Sequence, residues 1–342
     1  MEDFPSSPNL YRQPRIPIRS HPRQGIAPLT NSSANKMSDK MTTHKKIWRN
    51  GKMLSWDQAT VHLMSHGFSR GVAIFEVFGT HRTPAGTCAF RMDMNLKRLA
   101  RSMELLGLKL KYTMDEVARA VSEVVQANGT GDGYIKIFAY DATEAFANLV
   151  PQEKLDLCVV ALDVDPDLDK KKNGSLSACI CNWKKQHPGC VPVEAKVSAN
   201  YLNGMMSRQE AYQRGADIGI MLDTHGFVAE GATESVFMVK NGVLATAPLG
   251  RVLAGVSRDS VLKVAESLGI MTQERSIRPS ELLGADEIFI SSSPFKVLSI
   301  HRIEDRSLPT VPGPVARQLR NTLDAICAGK NTDFKNWLTP LD

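Results

Sequence analysis

The sequence EAKVSANYLN, residues 194–203, places Lys196 at a predicted junction between a strand and an amphipathic helix that ends at Arg214-Gly215. A second segment, AEGATESVF at 229–237, carries Glu230 at the end of a predicted strand. A third segment, LAGVSRD at 253–259, leads into a stretch with helical periodicity. Each segment therefore brings a polar or charged residue to the boundary of a helix or strand.

Such residues suit a particular set of chemical tasks. A lysine shielded from water loses its proton because burial makes the charged form costly, and the neutral amine can attack an aldehyde. A glutamate can accept a hydrogen bond from a protonated ring nitrogen and keep that ring cationic. Backbone N–H groups at the start of the third segment's helix form an anion site, to which Ser257 adds a hydroxyl at the cap position.

Amine, pyridinium and phosphate are the three groups through which a protein holds pyridoxal phosphate. Taken alone, each segment has an ordinary interpretation. Lys196 is then a solvated side chain, Glu230 a turn carboxylate, and Gly255-Val256-Ser257 the start of a helix. The order, the spacing and the neighbouring residues together favour the cofactor.

The chain from about 46 to 303 resembles the class IV, or fold-type IV, pyridoxal-phosphate enzymes. That family contains branched-chain and D-amino-acid aminotransferases, certain amine transaminases and aminodeoxychorismate lyase. AKVSANYLN and EGATESVF resemble its lysine and glutamate motifs, and LAGVSRD resembles its phosphate-binding motif, with Ala254 where proline is usual. The resemblance implies a two-domain α+β fold, with a smaller N-terminal α/β domain and a larger C-terminal domain with barrel-like strands.

The resemblance also implies a role for individual residues. Lys196 would be linked covalently to the cofactor and would move the proton, Glu230 would contact the pyridine nitrogen, and Tyr201 would bind the phenolic oxygen. The phosphate would be held by four residues: Arg98, Val256, Ser257 and Ser293. Arginine suits this task because its planar fork can bind two phosphate oxygens at once.

The residues expected to face the substrate depart from the branched-chain pattern. Arg70 stands where tyrosine is common, Gly79 falls where arginine is frequent, and Lys136 replaces another arginine. Pro294 follows Ser293, where a backbone N–H would help to bind a carboxylate, and proline has none. We therefore expect Arg70 or Lys136 to supply the compensating charge. The alternative is that Arg70 points to solvent and Lys136 pairs with an acid.

Other substrate-facing residues agree with the resemblance. Tyr134 is retained, and Phe75, with Val72 and Ile74, is consistent with an apolar pocket. The favoured function is transfer of an amino group between a branched-chain or other apolar L-amino acid and a 2-oxo acid such as 2-oxoglutarate. The alternatives are a D-amino-acid or amine transaminase, an aminodeoxychorismate-lyase-like enzyme, or a non-catalytic binding protein on the same scaffold.

The composition limits the classes of protein that fit. The chain has 342 residues and a net charge of +6, but residues 1–50 alone hold nine basic and three acidic side chains. The remainder is balanced, which argues against a nucleic-acid-binding surface. No apolar run approaches the roughly 18 residues of a membrane span. We expect a cytoplasmic protein without a metal site, and the family resemblance implies a homodimer.

The distribution of proline, polar and apolar residues predicts the domain boundaries. Residues 1–45, rich in proline and polar residues, are expected to be a disordered tail without a secretory signal. A small α/β domain is expected at 46–164, a linker at 165–173, a large cofactor-binding domain at 174–310, and a C-terminal helix and tail at 311–342. Cys179 and Cys181 alternate on a predicted strand, which indicates buried thiols rather than metal ligands.

Overall fold

The computed structural model describes residues 44–152, 154–164 and 174–341. The linker predicted at 165–173 lies outside the described residues, as does the predicted tail up to residue 43. The described residues fall within one compact unit, Lys40–Asp342. None of the helices in these ranges is both long and apolar enough to span a membrane.

The first of two sheets is mostly antiparallel and has the strand order β16-β4-β3-β6-β7-β1-β2, with β5 paired to β7. Its strands are β1 (Lys46–Arg49), β2 (Lys52–Ser55), β3 (Ala73–Thr83), β4 (Gly86–Phe90), β5 (Lys109–Leu110), β6 (Gly133–Tyr140), β7 (Lys154–Asp163) and β16 (Leu338–Pro340). Asn50-Gly51 between two strand-like flanks predicts a hairpin turn, and this prediction is confirmed. Both residues have positive φ, as a tight turn between β1 and β2 requires.

The second sheet mixes parallel and antiparallel pairs in the order β12-β11-β10-β13-β14-β8-β9, with β15 paired to β14. Its strands are β8 (Leu176–Lys184), β9 (Ile218–Leu222), β10 (Ser235–Lys240), β11 (Val243–Thr246), β12 (Thr272–Glu274), β13 (Glu287–Ser291), β14 (Leu298–Ile303) and β15 (Arg306–Ser307). The sequence predicts strands at Ile218–Leu222 and Val243–Thr246, and both are confirmed as β9 and β11. Cys179 and Cys181 on β8 are buried, free thiols, as predicted.

Seven α-helices accompany the sheets in the described ranges: α1 (His66–Ser69), α2 (Met92–Leu105), α3 (Met114–Asn128), α4 (Tyr201–Gln213), α5 (Val256–Ser267), α6 (Pro279–Leu283) and α7 (Pro314–Cys327). Thr113-Met114-Asp115-Glu116 predicts a capping box, which is confirmed because Thr113 and Glu116 cap α3 reciprocally. The sequence also predicts an amphipathic helix at 93–107 with Leu96, Leu99, Met103 and Leu106 on its apolar face. On α2 the first three of these are buried against the first sheet, so the predicted packed face is confirmed.

The end of the chain returns to the first sheet, which the prediction of a C-terminal helix and tail did not include. Strand β16 pairs antiparallel with β4, with Leu338 opposite Phe90. The preceding helix α7 packs instead with β10, β11 and β13. Arg91 strengthens this junction, because its guanidinium lies 4.2 Å from the centre of the Trp337 ring and bonds Asp259 on α5 at 2.8 Å. The contacts of Arg91 thus link the first sheet to helix α5, which begins at Val256.

Candidate active site

The backbone of Lys196 is fixed by two neighbouring elements. Its carbonyl accepts a hydrogen bond from the Phe75 N–H on β3 at 2.9 Å, and its own N–H donates to Ser102 Oγ on α2 at 3.0 Å. Val197 forms a bridge to Ile74 on the same strand. These contacts hold the lysine at the meeting point of the two sheets, just before α4.

The side chain of Lys196 is enclosed by aromatic rings. Its Nζ donates to Tyr201 Oη at 2.7 Å and lies 4.8 Å from the centre of the Phe75 ring. Burial, followed by the positive charge of Arg98, lowers the pKa of Lys196 to about 7. Burial also raises the pKa of Tyr201, which therefore stays protonated. The amine is close to the condition needed for nucleophilic attack at neutral pH.

Glu230 is held on both of its oxygens. Oε1 lies 2.6 Å from Lys185 Nζ, and Oε2 accepts a hydrogen bond from the Leu253 N–H at 3.2 Å. Lys185 did not stand out in the sequence, where it follows a strand as one of two adjacent lysines. Lys185 stabilises the buried negative charge of Glu230. A protonated ring nitrogen needs such a negative charge beside it.

Arg98 is held by protein groups at the edge of the cavity. Its Nε and one terminal nitrogen donate to the two carboxylate oxygens of Glu76 at 2.9 and 2.6 Å, and the other terminal nitrogen donates to Ala254 O at 3.0 Å. Although burial opposes it, the charge of Glu76 raises the pKa of Arg98. Through Ala254 the guanidinium contacts the turn that leads into α5. Direct binding of phosphate by Arg98 stays a prediction.

Helix α5 offers its N-terminus to the cavity at Val256 and Ser257, after the N-cap residue Gly255. A Cβ atom at Gly255 would lie 3.1 Å from Ser235 Oγ, so the turn is closely packed. Backbone N–H groups at such an end attract anions. The position of these residues agrees with a site for phosphate.

Three serines line the wall opposite α5. The hydroxyl of Ser293 donates to Val77 O at 2.7 Å, so its proton is committed to the backbone of β3. Ser291 Oγ and Ser292 Oγ are buried and have no hydrogen-bond partner among the described residues. Buried hydroxyls without partners are costly, and an anion in the cavity would satisfy them. This observation fits a phosphate group and favours Ser292 over Ser293 as a side-chain donor.

The seven residues predicted to hold the cofactor line one cavity with an empty volume of about 650 Å³. They are Arg98, Lys196, Tyr201, Glu230, Val256, Ser257 and Ser293. An amine, a carboxylate and a helix N-terminus thus surround one cavity, and its buried hydroxyls without partners favour a polar ligand.

The predicted substrate residues divide into two groups. Phe75 lies on β3, and Tyr134 and Lys136 lie on the neighbouring β6, with Lys136 opposite Val77 and Tyr134 opposite Gly79. Directly opposed residues share a face of the sheet, so these side chains follow one another along the face that carries Phe75. Lys136 Nζ lies 4.7 Å from the Phe138 ring, and burial lowers its pKa. No carboxylate of the described residues forms an ion pair with it.

Other predicted substrate residues lie elsewhere. Arg70 follows α1, is exposed and donates to Phe146 O at 3.4 Å, so the structure does not bring it to the cavity. Ile74 is fully buried in the core on the opposite face of β3 from Phe75, and Val72 packs against that core. Their assignment to the apolar pocket is therefore wrong. A strand alternates its side chains between faces, so Ile74 and Phe75 cannot line the same pocket.

Comparison with known proteins agrees with this geometry. Residues 73–303 match the family model described as amino-transferase class IV. The branched-chain-amino-acid aminotransferase of Salmonella typhimurium is 30% identical over 309 residues, which cover 88% of this chain and 100% of that protein. The corresponding enzyme of Escherichia coli strain K12 is 30% identical over 305 residues, covering 87% and 98%.

Solved structures show the same similarity. The branched-chain aminotransferase from Thermoproteus uzoniensis with norvaline has a TM-score of 0.83 and 33% identity, covering 87% of this chain and 99% of that one. The holo-form with pyridoxal phosphate from Thermobaculum terrenum has a TM-score of 0.80 and 30% identity, covering 88% and 99%. The family model covers the chain from β3 to β14 and includes every residue that lines the Lys196 cavity. The chain therefore belongs to the class IV aminotransferases and is a transaminase that uses pyridoxal phosphate.

Proposed function

We propose that this enzyme transfers the amino group between a branched-chain or other apolar L-amino acid and a 2-oxo acid such as 2-oxoglutarate. The observation that carries the proposal is the setting of Lys196, whose Nζ lies 4.8 Å from the Phe75 ring in a buried cavity and has a pKa of about 7. An amine beside an apolar wall suits an amino acid with an apolar side chain. The names of the relatives, branched-chain aminotransferases, support the same class of substrate.

We assign the cofactor contacts as follows. Lys196 would be the covalent attachment point, Tyr201 would bind the phenolic oxygen, and Glu230 would bind the ring nitrogen. Val256 and Ser257 at the N-terminus of α5 would hold the phosphate together with Ser293, which lines the same cavity. Arg98 supports this end of the cavity through Ala254 and contributes positive charge.

The reaction then depends on where this chain places protons. When bound, the cofactor supplies an aldehyde that amines can attack and a ring that withdraws electrons. With the cofactor bound, Lys196 Nζ would accept the proton from the substrate α-carbon and return it later in the cycle. Tyr201 keeps Nζ oriented through their 2.7 Å hydrogen bond. Glu230 and Lys185 hold a negative charge at the other end of the cavity.

For the substrate carboxylate we assign Lys136 rather than Arg70. Lys136 lies on the face of the sheet that carries Phe75, while Arg70 is exposed and bonds the Phe146 carbonyl. The ammonium of Lys136 rests on apolar rings, where a carboxylate partner is worth more than in water. Tyr134 follows Lys136 along the same face.

We further propose that the enzyme is a homodimer. Two segments joined by a bridge between Ser65 and Glu144 expose large apolar side chains. They are Val61, Leu63, Phe68, Phe146, Leu149 and Val150, of which Phe146 is 87% exposed. Exposed large apolar side chains on two paired segments are typical of a protein interface. Light scattering that gives a monomer with full activity would refute the dimer.

We also propose a division of the chain into two domains and a cytoplasmic location. The sheet of β1–β7 supports a small domain at 46–164, and the sheet of β8–β15 supports a large domain at 174–310. Residues 311–341 of the proposed C-terminal segment contact both sheets. All six cysteines are free thiols, which fits a reducing compartment such as the cytoplasm.

The proposed function is tested with purified enzyme and a substrate panel. The cofactor absorbance band is followed while L- and D-amino acids and amines are added, with and without 2-oxoglutarate. Transfer from apolar L-amino acids to the oxo acid supports the proposal. Transfer from D-amino acids or amines alone, or elimination without transfer, would replace it with one of the other class IV activities.

A further inference from the structure

Arg91 lies between β4 and α2 and is buried, although it does not line the Lys196 cavity. Its backbone N–H donates to Trp337 O at 2.7 Å, and its guanidinium lies over the Trp337 ring, 4.2 Å from the ring centre. Trp337 directly precedes β16, the last strand of the chain. The end of the chain therefore holds both the backbone and the side chain of this arginine.

One route of hydrogen bonds leads from the Arg91 side chain to the first residue of α5. Nη1 of Arg91 donates to Ser260 Oγ at 3.1 Å, and Ser260 Oγ donates in turn to Val256 O at 2.8 Å. The other terminal nitrogen of Arg91 donates to Asp259 at 2.8 Å. Val256 begins α5 and lines the Lys196 cavity. The guanidinium thus holds the start of this helix from outside the cavity.

A second route leads from the Arg91 backbone to the turn before α5. The carbonyl of Arg91 accepts a hydrogen bond from Asn95 Nδ2 at 2.7 Å, and Asn95 Oδ1 accepts one from Arg98 at 3.3 Å. Arg98 donates to Ala254 O at 3.0 Å. The two routes therefore end at residues 256 and 254, on either side of Gly255, which is the N-cap of α5.

Arg91 also offsets a negative charge near the end of α5 that faces the cavity. Asp259 lies in the first turn of this helix, where a carboxylate stabilises the helix but repels an anionic ligand. Arg91 pairs with it at 2.8 Å, and Lys263 lies 3.4 Å from the same oxygen. The arginine therefore both orients the N-terminus of α5 and reduces the repulsion that an anion there would meet.

We propose that Arg91 is a positioning residue for the cofactor phosphate, and that Trp337 at the chain end acts through it. By fixing the backbone at 254–256, Arg91 holds the N–H groups of Val256 and Ser257 in place for the phosphate. Donors that are already ordered bind an anion more tightly than donors that must first be ordered. The inference rests on the proposed function, because it assumes that the phosphate binds at the N-terminus of α5.

The test compares the affinities of the full chain for pyridoxal phosphate and for pyridoxal, which offers the same aldehyde without the phosphate. Both dissociation constants are obtained from the cofactor absorbance. In Arg91→Met the constant for pyridoxal phosphate should rise about tenfold or more, and that for pyridoxal less than about threefold, since hydrogen bonds to a charged group are weakened. Arg91→Lys keeps the charge and should recover part of the preference for the phosphate. A purely structural role would change both constants by the same factor.

Ser260→Ala interrupts the first route without removing a buried charge, so it tests the inference even if Arg91→Met fails to fold. The dissociation constant for pyridoxal phosphate should rise about threefold or more, and that for pyridoxal should not change. Ser267→Ala is a matched control, because Ser267 Oγ donates to Val264 O at 2.8 Å near the other end of α5. It should leave both constants unchanged. Equal weakening of the two ligands in Arg91→Met, or an unchanged preference in Ser260→Ala, would overturn the inference.

A double variant tests the part given to the chain end. Trp337→Leu removes the ring beneath the guanidinium and should lower the preference for pyridoxal phosphate in the same direction as Arg91→Met. The two substitutions together should lower it little more than Arg91→Met alone, because Trp337 acts through Arg91. Fully additive losses would show that Trp337 acts independently and would overturn this part.

The outcome is separable from that of the proposed function, since no substrate enters the titration. If the wild-type enzyme transaminates no apolar L-amino acid but the preference for pyridoxal phosphate still depends on Arg91, the substrate assignment fails and the positioning role remains. If Ser257→Ala lowers the preference and Arg91→Met does not, the phosphate site remains and the role of Arg91 is lost.

Discussion

Lys185 Nζ lies 2.6 Å from Glu230 Oε1, and the two side chains are only 9% and 10% exposed. An ion pair this deeply buried is strongly coupled, because losing either charge leaves the other unmatched in a medium that solvates it poorly. The pair therefore fixes a negative charge at the end of the cavity where we propose that the ring nitrogen of the cofactor binds.

Lys185→Met should destabilise the protein by about 3–5 kcal/mol and weaken cofactor binding, because Glu230 is then buried without its partner. Lys185→Arg should largely restore both. Urea unfolding and cofactor titration provide the two measurements. The adjacent Lys184→Met is a matched control, since Lys184 is exposed and its loss should change neither quantity. Similar effects from the two methionine variants would contradict the role given to the pair.

The stability of the cofactor-free enzyme should depend on pH through Lys196. Its pKa falls from 10.5 to about 7 on folding, so between these values the unfolded state binds more protons than the folded state. The contribution of this group to stability therefore rises with pH from about 7 to 10.5, by up to about 1.4 kcal/mol per pH unit. Below pH 7 both states are protonated and the cost of burying the charge is fully present.

The measurement is the difference in unfolding free energy between wild type and Lys196→Met across this range. Methionine cannot be protonated, so its curve should lack the rise. Parallel curves for the two proteins would show that Lys196 has an ordinary pKa.

Covalent attachment of the cofactor should require Lys196. After borohydride reduction and denaturation, the wild-type chain should retain the mass of the reduced cofactor, and Lys196→Ala should not. Non-covalent binding should persist in part, because the helix N-terminus at Val256 and Ser257 is unaffected. Retention of the added mass by Lys196→Ala would place the attachment on another residue.

Glu76→Gln should weaken cofactor binding and destabilise the chain by roughly 3–5 kcal/mol, because Arg98 is left buried with its charge unmatched. The side chain of Glu76 is 0% exposed. On the same helix as Arg98, Glu104 pairs with Arg101 at the surface, where the side chains are 69% and 54% exposed. Glu104→Gln should cost at most about 1 kcal/mol. The free energy of unfolding of both variants, measured by heat or urea, tests whether the buried ion pair contributes more to stability than the exposed one. Equal losses in the two variants would contradict this prediction.

Local signals predicted a large part of the fold. The capping box at Thr113, the Asn50-Gly51 turn and the apolar period of α2 each depend on residues close in sequence, and each is confirmed. Strand β13 was not predicted, because all five of its residues are buried and no alternation marks it. Strand β16 was not predicted, because it forms by pairing with β4, which is distant in sequence.

For the candidate active site, too, local signals predicted some of the residues and missed others. The motifs around Lys196 and Glu230 indicated the residues that line the cavity, but they gave no sign of the side chains that support them. Lys185 carries no local signature, and its importance comes from the long-range pairing that brings it to Glu230. The engagement of Arg98 by Glu76 likewise depends on how α2 packs on β3, which no spacing along the chain reveals.

The return of the chain end to β4 has a practical consequence for dividing the protein. A fragment that stops at Val164 contains β1–β7 but lacks β16, so the edge of β4 is exposed and prone to pair with other chains. A fragment that begins at Gly174 carries β16 without the strand that it joins. Neither piece is a complete folding unit, yet each holds what the other lacks. Coexpression of the two should reassemble an enzyme from complementary halves, with cofactor absorbance as the signal of reassembly.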